Sequence, residues 1–156
     1  MKKNSRIVIV YFLHEQKIGL NFTKWPNHIT LIPYFNTTDI NKLIDDIRCK
    51  ISDYKNIPYE VDGVDYFGTN NKDKVNRVKI SNSLIKLHSD ILNIALSHDG
   101  KMNAVFCGDE YKPHITRNEL PYPQKDDIGI IDKIYLVENL YKKINGKRIV
   151  EIINLL

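Results

Sequence analysis

Two short stretches of this chain could do chemistry together. They are His28-Ile29-Thr30 and His114-Ile115-Thr116, the same three residues repeated in a chain with five histidines. The flanks agree as well: Trp25-Pro26-Asn27 precedes the first copy and Tyr111-Lys112-Pro113 the second. Each copy lies in an apolar, β-branched setting that reads as a short strand. Side chains alternate faces along a strand, so His and Thr of each copy point one way and Ile the other. Two such strands side by side present two imidazoles and two hydroxyls on one surface. Unperturbed imidazole titrates at about pH 6.5, so one ring can stand neutral while the other holds a proton. The neutral ring can activate water, the protonated ring can protonate a departing alkoxide, and the hydroxyls can donate to phosphate oxygens. Those are the parts for acid–base cleavage of a phosphodiester. For such a pair to flank one phosphorus, the closest ring nitrogens should lie roughly 5–9 Å apart, given hydrogen-bond reach from each side.

The elements that must position these residues follow from hydrophobic periodicity. Residues 6–12 (Arg-Ile-Val-Ile-Val-Tyr-Phe) form a first strand, apolar on both faces and therefore central in its sheet. Residues 17–23 read as loop or a short strand. The first motif strand covers 28–32 and closes near Pro33. Oxygens of Thr37, Thr38 and Asp39 can cap a helix with apolar positions Ile40, Leu43, Ile44, Ile47 and Ile51, ending before Pro58. Residues 59–69 form a strand with a bulge at Gly63, and 75–80 pair back as its hairpin partner. Ser81, Asn82 or Ser83 can cap a second helix that buries Leu84, Leu87, Ile91 and Ala95 and ends on Gly100. A loop over 101–112 leads to the second motif strand, 113–117. Residues 119–127 are irregular. Residues 128–139 and 148–155 are the last two strands, joined through a turn over 141–147. Two helices among hairpin-linked strands make an α+β fold with antiparallel sheets.

The duplicated motif resembles that of the 2H phosphoesterase superfamily, whose members carry two His-apolar-Thr/Ser-apolar motifs. Within it the chain is most similar to the 2′-5′ RNA ligase and RNA 2′,3′-cyclic phosphodiesterase group. Ile134-Tyr135-Leu136-Val137-Glu138-Asn139-Leu140 and Arg148-Ile149-Val150-Glu151 also look like that family's closing strands. Arg117 departs from the pattern, since the family usually has an apolar residue there. The resemblance implies a bilobal domain over 1–156: two mainly antiparallel sheets facing a central cleft, with helices packed outside. It also implies hydrolysis of RNA or nucleotide 2′,3′-cyclic phosphates to 2′-phosphomonoesters without a metal or other cofactor, and ligation in reverse. His28, Thr30, His114 and Thr116 would be the catalytic residues; the two motifs are nearly interchangeable on paper, and from the motifs alone we take His114 as base and His28 as acid. Two other readings use the same cleft: hydrolysis of 2′-5′-linked oligonucleotides, and non-catalytic binding of an RNA end or nucleotide. Retention of both histidines and both threonines argues against the last.

Around the motifs, Trp25, Tyr34 and Tyr111 are candidates to stack a nucleobase, as are Tyr66 and Phe67. Lys112 is favoured over Lys24 and Arg117 as the cation beside the phosphate, because Arg117 shares the face of Ile115. His14, His88 and His98 lack metal-ligand spacing and read as surface or structural histidines.

Composition is ordinary for a globular domain: 42% hydrophobic and 27% charged over 156 residues. The formal net charge of +4 suits an anionic substrate without requiring one. Cys49 and Cys107 form no CxxC or zinc spacing, as expected of reduced thiols in a cytoplasmic protein. No apolar run is long enough for a membrane span, and the basic start lacks a cleavage site, so no membrane partner is expected. A monomer acting on RNA ends or cyclic nucleotides is the expectation.

Overall fold

A computed structural model describes residues 4–102, 107–140 and 146–156. Parts of the expected loop over 101–112 and of the turn over 141–147 lie outside the described residues. The chain runs β1 (Ser5–Phe12), β2 (Asn21–Phe22), β3 (His28–Thr37), α1 (Ile40–Ile51), β4 (Ile57–Phe67), β5 (Asp73–Val78), α2 (Asn82–His98), β6 (His114–Thr116), β7 (Ile128–Ile131), β8 (Lys133–Leu140) and β9 (Gly146–Asn154). This is the α+β class expected, with antiparallel pairing between neighbouring strands.

Two separate sheets were expected. Among the described residues the strands instead form one hydrogen-bonded order, β2-β9-β8-β1-β3-β6-β5-β4-β7. The join is narrow: β3 and β6 share a single register pair, Ile29 with Ile115. The two halves of the sheet therefore meet at the two motifs. Residues 128–139 are also not one strand. They divide at Asp132, because β7 pairs with β4 at one edge while β8 pairs with β1 and β9 in the other half. Ile131 and Lys133 are close in sequence yet belong to opposite halves, so the sheet curves until those strands meet at Asp132.

Local chemistry explains the boundaries. Asp39 caps α1, accepting from the Lys42 amide at 3.0 Å, and Ser81 caps α2, accepting from the Leu84 amide at 3.2 Å. The second helix closes on Asp99, not Gly100. The Asp99 amide donates to the Ala95 carbonyl, and its carboxylate accepts from the Asn36 amide at 2.8 Å, anchoring the helix end to β3. The expected stop of β3 at Pro33 does not occur. Register passes from Ile9–Ile32 to Ile7–Phe35, so Pro33 and Tyr34 fall in an irregular stretch where a missing N–H costs no ladder bond. A second irregularity lies beside the first motif. Val10 pairs with Thr30 and Ile9 with Ile32, which leaves Leu31 as a bulge residue. Gly63 lies where the β4–β5 register jumps between Val61 and Val64, as its type suggested.

The main core lies between the helices and one face of the sheet. It includes Ile29, Leu31 and Ile115 with Leu43, Ile47, Leu84 and Ile91, all buried. A smaller cluster on the opposite face contains Val8, Val10, Phe12, Tyr135, Val137 and Ile149, with Trp25 and Tyr34 packed against it. No helix among the described residues is long and apolar enough to cross a membrane.

Candidate active site

The site starts from the Ile29–Ile115 pair. Carrying that antiparallel register one residue each way puts His28 opposite Thr116 and Thr30 opposite His114. Ile29 and Ile115 are fully buried under the helices. Alternation therefore turns all four polar residues to the other face, where each is half-buried. Directly opposed residues have Cβ atoms about 4.5–5.5 Å apart, and the two histidines on the diagonal stand roughly 7–8 Å apart. The result is a square of two imidazoles and two hydroxyls related by an approximate two-fold axis through the isoleucine pair.

The rings are fixed in the same way. His28 Nδ1 lies 2.8 Å from the Pro26 carbonyl and His114 Nδ1 lies 2.8 Å from the Lys112 carbonyl. A carbonyl only accepts, so each Nδ1 carries the hydrogen and each Nε2 is the working nitrogen. The proline-containing tripeptides before the motifs thus set the tautomers.

The symmetry breaks in the surroundings. His28 sits among aromatic rings, with Trp25 at 4.4 Å and Phe12 at 6.1 Å between centroids. Burial pushes its pKa down to about 4, against a smaller opposing pull from the Pro26 hydrogen bond, and His114 nearby adds to the lowering. His114 meets the edge of Phe67 at 4.6 Å. Burial lowers its pKa too, but the Lys112 carbonyl and the Asp73 carboxylate both favour its charged form. On β5, Arg77 pairs in register with His114 and shares its face. The corresponding neighbour of His28 on β1 is Phe12.

The other sequence candidates separate clearly. Trp25 borders the site, packed against the His28 ring. Tyr34 lies farther along the same side with the Arg6 guanidinium 5.1 Å above its ring. Lys112 is exposed beside His114. Tyr111 is a correction: it is only 9% exposed, lies in the main core and stacks on His88 at 3.8 Å, so it cannot present its ring to a base. Arg117 lies on the Ile115 side as expected and bonds Asn76 Oδ1 and the Pro123 carbonyl. His98 bridges Thr37 and Asp46, and His14 is exposed. Sequence reasoning missed Arg77. Its alternation within β5 was readable, but nothing in the sequence placed β5 beside the second motif. Among the described residues no three His, Cys, Asp or Glu side chains gather as metal ligands.

Paired His-x-Thr strands on one face of an antiparallel α+β fold are what the resemblance to the 2H phosphoesterases leads one to expect. The chain belongs to the 2′-5′ RNA ligase superfamily, a branch of the 2H phosphoesterases, whose model matches residues 11–127, a span containing both motifs. Solved structures agree on the fold. TT0787 of Thermus thermophilus is 17% identical with a TM-score of 0.63, covering 96% of this chain and 97% of that one. A structure described as a phosphoesterase is 12% identical with a TM-score of 0.64, covering 98% and 99%. E. coli LigT complexed with 3′-AMP is 11% identical with a TM-score of 0.62, again covering 98% and 99%. No curated protein sequence matches significantly.

Proposed function

We propose that this chain is a single-domain enzyme that hydrolyses RNA or nucleotide 2′,3′-cyclic phosphates to 2′-phosphomonoesters, and that with a 5′-hydroxyl in place of water as the nucleophile the same site forms a 2′-5′ phosphodiester. The observation that carries this reading is the square of His28, Thr30, His114 and Thr116 around the Ile29–Ile115 pair. The narrow join between the sheet halves supports reading them as two lobes with the substrate lying across them. Structures of E. coli LigT complexed with 3′-AMP, ATP, NADP+ and phosphate support a nucleotide or RNA-end ligand.

In this mechanism the phosphate lies over the square and both threonine hydroxyls donate to its non-bridging oxygens. One Nε2 takes a proton from water as it attacks phosphorus. The other gives a proton to the departing 3′-oxygen, and the P–O3′ bond breaks. The surroundings favour His28 as base and His114 as acid, the reverse of the assignment drawn from the motifs alone. Burial among aromatic rings lowers the His28 value to about 4; burial lowers that of His114 too, but there the Lys112 carbonyl and the Asp73 carboxylate oppose the fall.

The pH dependence follows. A base must be neutral, so kcat/KM rises as pH climbs through the His28 value near 4. An acid must be protonated, so kcat/KM falls as pH climbs through the His114 value, which lies below the ordinary imidazole value of about 6.5. The expected profile is a bell with its maximum on the acidic side of neutrality. A plateau extending to about pH 8, well above the ordinary imidazole range, would contradict the pairing.

Activity should survive chelation by EDTA. Loss on chelation with rescue by a divalent metal would replace this mechanism with metal-assisted hydrolysis. A substrate panel separates the remaining readings: a nucleoside 2′,3′-cyclic phosphate, a 2′-5′-linked dinucleotide and its 3′-5′ isomer. Preferential turnover of the cyclic phosphate supports the proposal. Preferential turnover of the 2′-5′ dinucleotide supports an oligonucleotide hydrolase, and turnover of none supports a binding protein.

A further inference from the structure

A shared phosphate requires the two motif strands to be held in one register, yet β3 and β6 have only one register pair between them. The β6 strand is three residues long, and Pro113 before it has no N–H to give. Opposite it, Leu31 is a bulge residue of β3. The backbone ladder at this join is too short to fix the alignment of four catalytic groups.

Side chains bridge the join at both ends. At the His28 end stands Asn27, only 1% exposed. Its Oδ1 accepts from the amides of Asn118 at 3.0 Å and Glu119 at 3.2 Å. Its Nδ2 donates to the Glu119 carbonyl at 2.9 Å and the Pro121 carbonyl at 3.4 Å, and its own amide donates to Glu119 Oε1 at 3.2 Å. One side chain thus ties the residue before the first motif to the segment after the second.

At the Thr30 end stands His88 of α2, fully buried. Its Nδ1 donates to the carbonyl of the bulge residue Leu31 at 2.7 Å, and its Nε2 accepts from the Gly108 amide at 2.9 Å. Tyr111 stacks flat on the imidazole and donates its hydroxyl to the Thr30 carbonyl at 3.0 Å. Gly108 and Tyr111 belong to the segment that leads into the second motif, so this pair ties the end of the first motif to the approach of the second. A buried group satisfied on every polar atom has one low-energy placement.

We propose that Asn27 and the His88–Tyr111 pair are positioning residues: two side-chain clasps, one at each end of the β3–β6 join, that set the spacing of the two catalytic histidines. The proposal rests on the reading of the square as a phosphate site. Misplacing catalytic groups by about 1 Å costs on the order of 10²-fold in rate.

Tyr111→Phe is the decisive variant, because it keeps the ring and the stack and removes only the hydroxyl on Thr30. Asn27→Ala tests the other end, and Ile51→Val, in the α1 core away from the join, is the control for destabilisation. Turnover of a nucleoside 2′,3′-cyclic phosphate is measured well below each Tm, and inorganic phosphate affinity is measured by calorimetry. Tyr111→Phe is expected to lower kcat about tenfold and Asn27→Ala about 10²-fold, by misplacement of the catalytic groups. KM should change less than kcat. Both variants should bind phosphate several-fold more weakly, while the Ile51→Val control loses Tm and keeps kcat. A Tyr111→Phe protein with lowered Tm but wild-type kcat and phosphate affinity would overturn the clasps and leave the proposed function standing. A wild-type protein that binds phosphate but turns over no cyclic phosphate would defeat the proposed function alone, and phosphate affinity would still decide the clasps. Absence of phosphate binding in the wild type would overturn both.

Discussion

His28→Ala and His114→Ala should each lower turnover of a 2′,3′-cyclic phosphate by about 10²–10⁴-fold, the usual worth of a positioned general acid or base. Both side chains are half-buried on the site face, and neither belongs to the main core, so both variants should fold. The double variant should be little worse than either single one, since the two rings act as a unit on one phosphate. The assignment of roles makes a sharper expectation. A phosphodiester with a nitrophenolate leaving group needs no proton donor. Against such a substrate His114→Ala should retain far more activity than His28→Ala. Equal losses would contradict the assignment of roles, and near-wild-type rates in either variant on the cyclic phosphate would refute the paired mechanism.

The second large effect concerns the hydroxyls. Thr30→Val and Thr116→Val conserve shape on strands that favour β-branched residues, so stability should change little. Each removes one donor aimed at a phosphate oxygen. Loss of a comparable oxyanion donor costs about 10²–10³-fold in kcat. The approximate two-fold axis predicts similar losses at the two positions, with KM affected less than kcat. Steady-state kinetics check this directly: wild-type kcat in either variant would show that its hydroxyl does not meet the charge developing in the transition state.

What could be read from the sequence was whatever repeats or alternates locally. The two His-x-Thr copies, the faces of Ile29 and Ile115, the caps at Asp39 and Ser81 and the bulge at Gly63 all follow from a few consecutive residues. What was not legible depends on pairing between distant segments. Residues 128–139 look like one β-rich run, and only their partners divide them at Asp132. Tyr111 carries the same local signals as a stacking platform, but His88 from α2 claims its ring. The roles of the two histidines look interchangeable in sequence because the motifs are identical. The difference lies in neighbouring strands, where β1 supplies Phe12 beside His28 and β5 supplies Asp73 near His114.

The central claim is that one phosphate is held and cleaved by both motifs. It is tested most directly by ³¹P NMR of the products formed from a nucleoside 2′,3′-cyclic phosphate in the presence of EDTA. The expected result is a 2′-phosphomonoester as the sole product, formed by wild type and lost in His28→Ala and His114→Ala. A 3′-phosphomonoester, or turnover that persists in both histidine variants, would contradict it.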